Sequence, residues 1–257
     1  VQPWLDIPDL GFSILVYTWQ EDVQSGSHYQ TAFSEFVWSS REELLVEKQP
    51  LLQGIKAALD DDCPPAILVN ASDSIPAGAP GDNTIILEAL LKAQPQSPIY
   101  LALVDPEVTE CAFQAGEGAE IKVSLGGKRD TLFCEPLEIS ARVGYCAETT
   151  AIIEGPVFSG SIVNLGICSV LHVGELSIVV TSKSFPGHDP SIYRSVGLCV
   201  ESAQAIVVNS AIHYRANYRS VSKNFVLLDT PGASTSNFSK LPYRRIQRPI
   251  FPLDFFG

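Results

Sequence analysis

The strongest constraint on the fold is the way short apolar runs alternate with helical stretches marked by proline and glycine. Ala66-Ile-Leu-Val69 and Ile99-Tyr-Leu-Ala-Leu-Val104 are unbroken apolar runs of strand length. That pattern belongs to strands buried on both faces. Each run is followed by a helical stretch. Asn83–Gln94 reads as a helix with Asp82 as its N-cap, and Pro106–Ala115 as another with proline in its first turn. Upstream, Ser13–Tyr17 reads as a buried strand. His28 to about Val46 reads as an amphipathic helix, with Tyr29, Ala32, Phe33, Phe36, Val37 and Leu44 at helical spacing, and Gln49–Leu59 as a second helix. Strand and helix thus alternate over residues 13–116, which predicts an open α/β layer.

Beyond Gly116 the pattern becomes strand-rich. Residues 119–125, 137–143, 161–172 and 176–182 alternate or run apolar, with turn signals at Gly126-Gly127 and Val173-Gly174-Glu175. This half is expected to form a mostly antiparallel sheet or a small barrel, so the whole is α/β (α+β). Asp189–Val196 reads as a short helix. Ala205–Val208 and Phe225–Leu228 return to strand, and the last thirty residues read as an extended tail. No internal repeat is present.

Composition removes several classes of function. With 46% hydrophobic and 18% charged residues the chain can bury a core. No apolar run approaches the roughly 20 residues of a membrane helix. The net charge is -12, carried as -17 over residues 1–210 and +5 over residues 211–257. The acidic bulk argues against nucleic acid. The basic tail is read as a strap on the chain's own acidic body, or as a dock for another subunit, a missing domain or an anion. Six cysteines at spacings of 48, 23, 12, 22 and 31 match no zinc pattern. Buried free thiols in a reducing, cytoplasmic setting are expected. The chain starts at Val1 and holds no Met, which raises the expectation of a processed or truncated product.

The most distinctive segment is Asp73-Ser-Ile-Pro-Ala-Gly-Ala-Pro-Gly-Asp-Asn-Thr84, between a strand and a helix where α/β proteins place ligands. Its glycines permit close backbone approach, and the following helix start favours anions. The competing reading is a tight turn with a capping Asp82. No Lys follows the glycines, so it is not a phosphate-binding P-loop. Four histidines occur, with no HExxH. His213 and Arg215 follow the strand at 205–208 and, on an extended chain, point to one face as a polar pair for a carboxylate. The catalytic candidates are therefore His213, Arg215, Asp73 and Asp82. The ligand-binding candidates are Ser74, Gly78, Gly81, Asn83 and Lys128. A metal would have to draw on Asp73, Asp82 and His213, and their spacing does not demand one, so no metal site is expected in this chain.

The Asp73–Thr84 segment resembles a signature of the MlrC-like family, the microcystin-degradation metallopeptidases. Leu125-Gly-Gly-Lys128, Val180-Thr-Ser-Lys183 and Val208-Asn-Ser-Ala-Ile-His-Tyr-Arg-Ala216 resemble further family motifs in the same order. So do Asp229-Thr-Pro-Gly232, Leu241-Pro-Tyr-Arg-Arg245 and Arg248-Pro249, and Pro3-Trp-Leu-Asp-Ile-Pro-Asp9 resembles the end of the family's preceding domain. The resemblance implies a division into residues 1–48, the end of a metallopeptidase-like domain, and 49–257, the carboxy-terminal domain, α/β to about 116 and β-rich after. It implies a zinc-dependent hydrolase of small peptides or amide-like compounds whose metal ligands lie in an amino-terminal domain, with that domain as partner, no zinc on this chain alone, no membrane, and a possible homo-oligomer. The chain departs from the family at Pro76-Ala77-Gly78, where glycines are usual, at Ser74 for Asn and at Asn209 for Lys. The alternatives are a non-catalytic scaffolding or ligand-binding module, and an enzyme repurposed around the Asp73–Asp82 loop and His213.

Overall fold

The computed structural model describes residues 4–19 and 22–255. Val1 and Pro3, which carried two of the expectations above, lie outside them. The chain divides into two compact units, Lys48–Lys240 and the combination of Val1–Glu47 with Leu241–Gly257.

The larger unit is a nine-stranded sheet. Its strands are β1 (Gln49–Pro50), β2 (Ala66–Val69), β3 (Ile99–Val104), β4 (Glu120–Leu125), β5 (Leu137–Ile152), β6 (Ile162–Val173), β7 (Leu176–Thr181), β8 (Ala205–Val208) and β9 (Phe225–Asp229), in the order β1-β9-β2-β8-β3-β7-β6-β5-β4. From β1 to β7 in that order the neighbours are parallel. From β7 to β4 they are antiparallel. The strand-rich half is therefore an open antiparallel extension rather than a barrel, and β8 and β9 return to the parallel half.

Side-chain alternation explains why both faces are covered. On β3, Leu101 and Leu103 face one core with Leu68, Ile178 and Val180. Tyr100, Ala102 and Val104 face the other with Ile67, Val179 and Ile206. The first core is closed by α2 (Leu51–Leu59), α3 (Ile85–Ala93) and α4 (Pro106–Ala115) through Ile55, Leu87, Leu90 and Val108. The second is closed by irregular segments and two one-turn helices, α5 (Ser191–Arg194) and α6 (Tyr214–Asn217), through Phe185, Tyr193, Tyr214 and Tyr218. Helix α4 begins where the sequence says: the Val108 amide donates to Asp105 Oδ1 at 3.2 Å, and Pro106 follows the cap.

Three expectations are corrected. Asp82 does not cap α3: its carboxylate is drawn to a distant loop, α3 starts at Ile85, and the Ile85 amide bonds Asn83 Oδ1 at 3.1 Å instead. Ser13–Tyr17 forms no strand and is exposed, with Leu15 at 79% and Tyr17 at 91%. The helix read from residue 28 is α1 (Val23–Ser39), and none of its residues is buried. The last two belong to the smaller unit, where the amides of Arg244, Arg245 and Ile246 donate to Asp6. The thiols also differ from expectation: all six are free, but Cys63, Cys111 and Cys199 are exposed. No helix among the described residues is long and apolar enough to cross a membrane.

Candidate functional site

The parallel strands end on one edge of the sheet, and polar residues follow them at once: Asn70 after β2, Asp105 after β3, Asn209 after β8 and Thr230 after β9. The edge beyond the carboxyl ends of parallel strands is where open α/β sheets hold ligands. Here much of it is filled by a knot of buried carboxylates. Asp73 is fully buried and accepts from the amides of Gly81 (2.8 Å) and Asn83 (3.0 Å), while Asn209 Nδ2 approaches at 3.5 Å. Asp82 accepts from the amides of Lys128 (2.9 Å), Arg129 (2.7 Å) and Asp130 (3.3 Å). That nest needs the two glycines before Lys128. Gly126 and Gly127 have φ of +63° and +60°, and a Cβ on Gly126 would stand 2.6 Å from the Asp82 carbonyl oxygen.

Burial raises the Asp73 carboxyl to about 7 against the two amide hydrogen bonds, and the nearby Asp82 and Asp130 add to the rise. Burial and the neighbouring Asp82 raise Asp130 as well, despite the hydrogen bond from Asn83 Nδ2 at 3.2 Å. Among the described residues no ion pair is made to Asp73, Asp82 or Asp130. Lys128 contributes its amide, but its ammonium turns to Asp105 (3.0 Å) and Glu107 (2.7 Å). Burial would lower that ammonium, and the two carboxylates outweigh it and hold it above the usual lysine value. The Ser74 amide donates to Ser234 Oγ at 2.9 Å, and Gly78 ends a short 3-10 turn in a left-handed conformation. The polar groups of the Asp73–Thr84 loop are thus satisfied by its own amides and by the neighbouring segments at 128–130 and Ser234, and the loop can hold a proton on Asp73 near neutrality.

His213 and Arg215 do not sit on an extended chain: His213 starts α6, so the two side chains diverge. Arg215 Nε bonds Tyr214 Oη at 3.1 Å. His213 joins a cluster that sequence reasoning left open, with His188 at 5.2 Å and Phe158 at 5.6 Å between ring centroids. His188 is 1% exposed, and neither ring nitrogen has a hydrogen-bond partner among the described residues. Leaving such a group unpaired costs about 1–3 kcal/mol. Burial and the neighbouring His213 hold its pKa below the usual histidine range. The next residue, Asp189, is fully buried and accepts four hydrogen bonds, from the amides of Glu154 (3.2 Å), Gly155 (2.9 Å) and Ser191 (3.0 Å) and from Asn217 Nδ2 (2.9 Å). Gly187 ties this region to the Asp73 loop, since a Cβ there would stand 2.8 Å from the oxygen of Asn209. The sequence signal for Asp189 was its place before Pro190; for His188 and Phe158 there was none.

Among the described residues no group of three or more His, Cys, Asp or Glu is arranged to hold a metal. The Asp73 and Asp82 oxygens are spent on amides, and His213 is engaged elsewhere. This donor set does not fit a catalytic metal.

Residues 68–245 match the family model described as the MlrC C-terminus. Microcystinase C of Sphingomonas sp. is 23% identical over 256 residues, which is 97% of this chain and 48% of that protein. A crystal structure of a protein assigned as a metallopeptidase from Mesorhizobium sp. BNC1 superposes with a TM-score of 0.88 at 25% identity, over 100% of this chain and 51% of that one. The chain spans about half the length of both relatives. With well over half of its residues matched by the family model and its sheet shared with a solved relative, the chain belongs to the MlrC family, and residues 68–245 are the C-terminal domain.

Proposed function

We propose that this chain is the carboxy-terminal half of a zinc-dependent hydrolase of peptides or amide-like compounds. Residues 1–48 close a preceding metallopeptidase-like domain, and 49–257 form the module that packs against that domain and completes its pocket. The zinc belongs to the amino-terminal half, so no chemical step is assigned to a metal on this chain. His213 and Arg215 are the groups offered to substrate. Asp73, Asp82, Ser74, Gly78, Gly81, Asn83 and Lys128 shape the rigid loop beside them. The free thiols support a cytoplasmic setting, and self-association of the assembled protein is part of the same reading.

The observation that carries this reading is α1 and its flanks. A 17-residue helix with no buried residue gains nothing from packing and is marginal alone in water. Phe12, Trp19, Tyr29, Phe36 and Leu44 are all exposed around it. Such an apolar surface marks an interaction face, and relatives about twice as long supply the chain to cover it. The test is a protein extended at its amino terminus to the length of those relatives. Supplied with zinc, it is expected to cleave linear or cyclic peptides, to lose that activity to a chelator, and to regain it with zinc. An extended, folded protein that binds no zinc and cleaves no peptide or amide refutes the proposal.

A further inference from the structure

The loop joining β5 to β6 carries Phe158 at a φ of +63°, a conformation that side chains other than glycine rarely adopt. The conformation is imposed by the loop's neighbours. Asp189 holds the amides of Glu154 and Gly155. Asn217 clamps Val157 from both sides, accepting from its amide at 2.9 Å and donating to its carbonyl at 3.3 Å. The clamp brings the Phe158 ring against the two imidazoles, 5.9 Å from His188 and 5.6 Å from His213. Yet Phe158 stays 61% exposed, so this strained geometry does not serve core packing. Beneath the two outer rings lies His188, fully buried with both nitrogens unpaired among the described residues. Ile212, which precedes His213 in the chain, is 75% exposed.

We propose that the His188–His213 pair is a binding subsite for an apolar residue of a peptide, and that the Phe158 ring plugs it in the free chain. The ligand's apolar side chain takes the place of the Phe158 ring, and its peptide unit meets the imidazole nitrogens. A neutral imidazole offers one N–H and one lone pair, and a peptide unit offers a carbonyl and an N–H in return. Burial and His213 keep His188 in that neutral form near pH 7. The choice of a peptide as ligand rests on the hydrolase reading above; the plugged, unpaired imidazole does not.

The experiment uses the 257-residue chain, imidazole nitrogen NMR shifts and N-acetyl-L-phenylalanine methylamide as probe, with N-acetylglycine methylamide as control. The wild-type chain is expected to bind the phenylalanine probe with a Kd on the order of a few millimolar. Phe158→Gly removes the plug, suits the positive φ, and is expected to tighten binding roughly tenfold. His188→Phe keeps an aromatic ring at the site without the nitrogens. It is expected to abolish binding of the probe. The subsite is overturned if neither wild type nor Phe158→Gly shifts the His188 signals at saturating probe, if the glycine control binds equally well, or if His188→Phe binds unchanged. Should His188→Phe not fold, unchanged affinity in Phe158→Gly refutes the plug. Failure of the extended protein to cleave peptides, with His188-dependent probe binding intact, sinks the hydrolase reading and leaves the subsite standing.

Discussion

Asp73 makes the fold itself sensitive to pH. A carboxyl whose pKa is higher in the folded chain binds its proton more tightly there. Its contribution therefore favours folding at low pH and is lost as pH rises from the unfolded value, 3.8, to the folded one, about 7. Between pH 5 and pH 7 the folded chain holds this proton and the unfolded chain does not, which costs about 1.4 kcal/mol per pH unit. Saturation above the folded value limits the loss between pH 5 and pH 8 to about 2.5 kcal/mol, or about 5–10 °C in Tm for a unit of this size. Other groups act over the same range. Asp130 is raised and adds to the loss, whereas His172 and His188 are held low by burial and oppose it. The difference between wild type and Asp73→Asn removes these common terms. The amide side chain mismatches one of the two donors from Gly81 and Asn83, a fixed penalty at every pH. Urea unfolding of both proteins at pH 5, 6, 7 and 8 should show the wild-type advantage largest at pH 5 and smaller by about 2.5 kcal/mol at pH 8. A difference that stays flat across that range would mean that Asp73 ionises normally in the folded chain, and the account of its burial would be wrong.

Other perturbations have mechanisms as definite. Gly127→Ala places a Cβ 2.3 Å from the Glu135 backbone at a φ of +60°, so it should destabilise by about 3 kcal/mol or more, read as a lower urea midpoint. Asn217→Ala removes both bonds to Val157 and one donor to Asp189. A loss of about 2–4 kcal/mol is expected, together with new protease cleavage within residues 154–161; unchanged resistance would show that the loop holds without its clamp. Leu103→Ala empties part of the core under α4 and should cost about 2–5 kcal/mol in thermal or urea unfolding. By contrast, Phe33→Ser with Phe36→Ser in this chain should shift unfolding by less than about 0.5 kcal/mol, because neither ring is buried, while reducing binding of a hydrophobic dye.

How far the sequence reaches depends on the distance over which each feature is decided. Strand β3 and helix α4 were legible to the residue because their signals are local: an unbroken apolar run, then Asp105 and Pro106 as cap and first turn. Asp82 misled for the opposite reason. Its place before a helix is a capping signal, but a nest 46 to 48 residues downstream offers its carboxylate three amides where a cap offers fewer. Ser13–Tyr17 and α1 have apolar content without cover, and periodicity reports only that a face is apolar, never what buries it. The candidate site divides on the same line. The Asp73–Thr84 loop announces itself through glycine and proline, and its inward-turned carboxylates make it a rigid support. The unpaired imidazole of His188 comes from a loop with no pattern and is covered by a ring from the β5–β6 loop, which the neighbouring Asp189 and Asn217 of α6 hold in place. No local window contains that arrangement. Unsatisfied polar groups are nevertheless where a stable fold departs from its own rules, and such departures collect at functional positions. On that ground the weight of a search for function in this chain shifts from the conspicuous glycine loop to the three rings beside it.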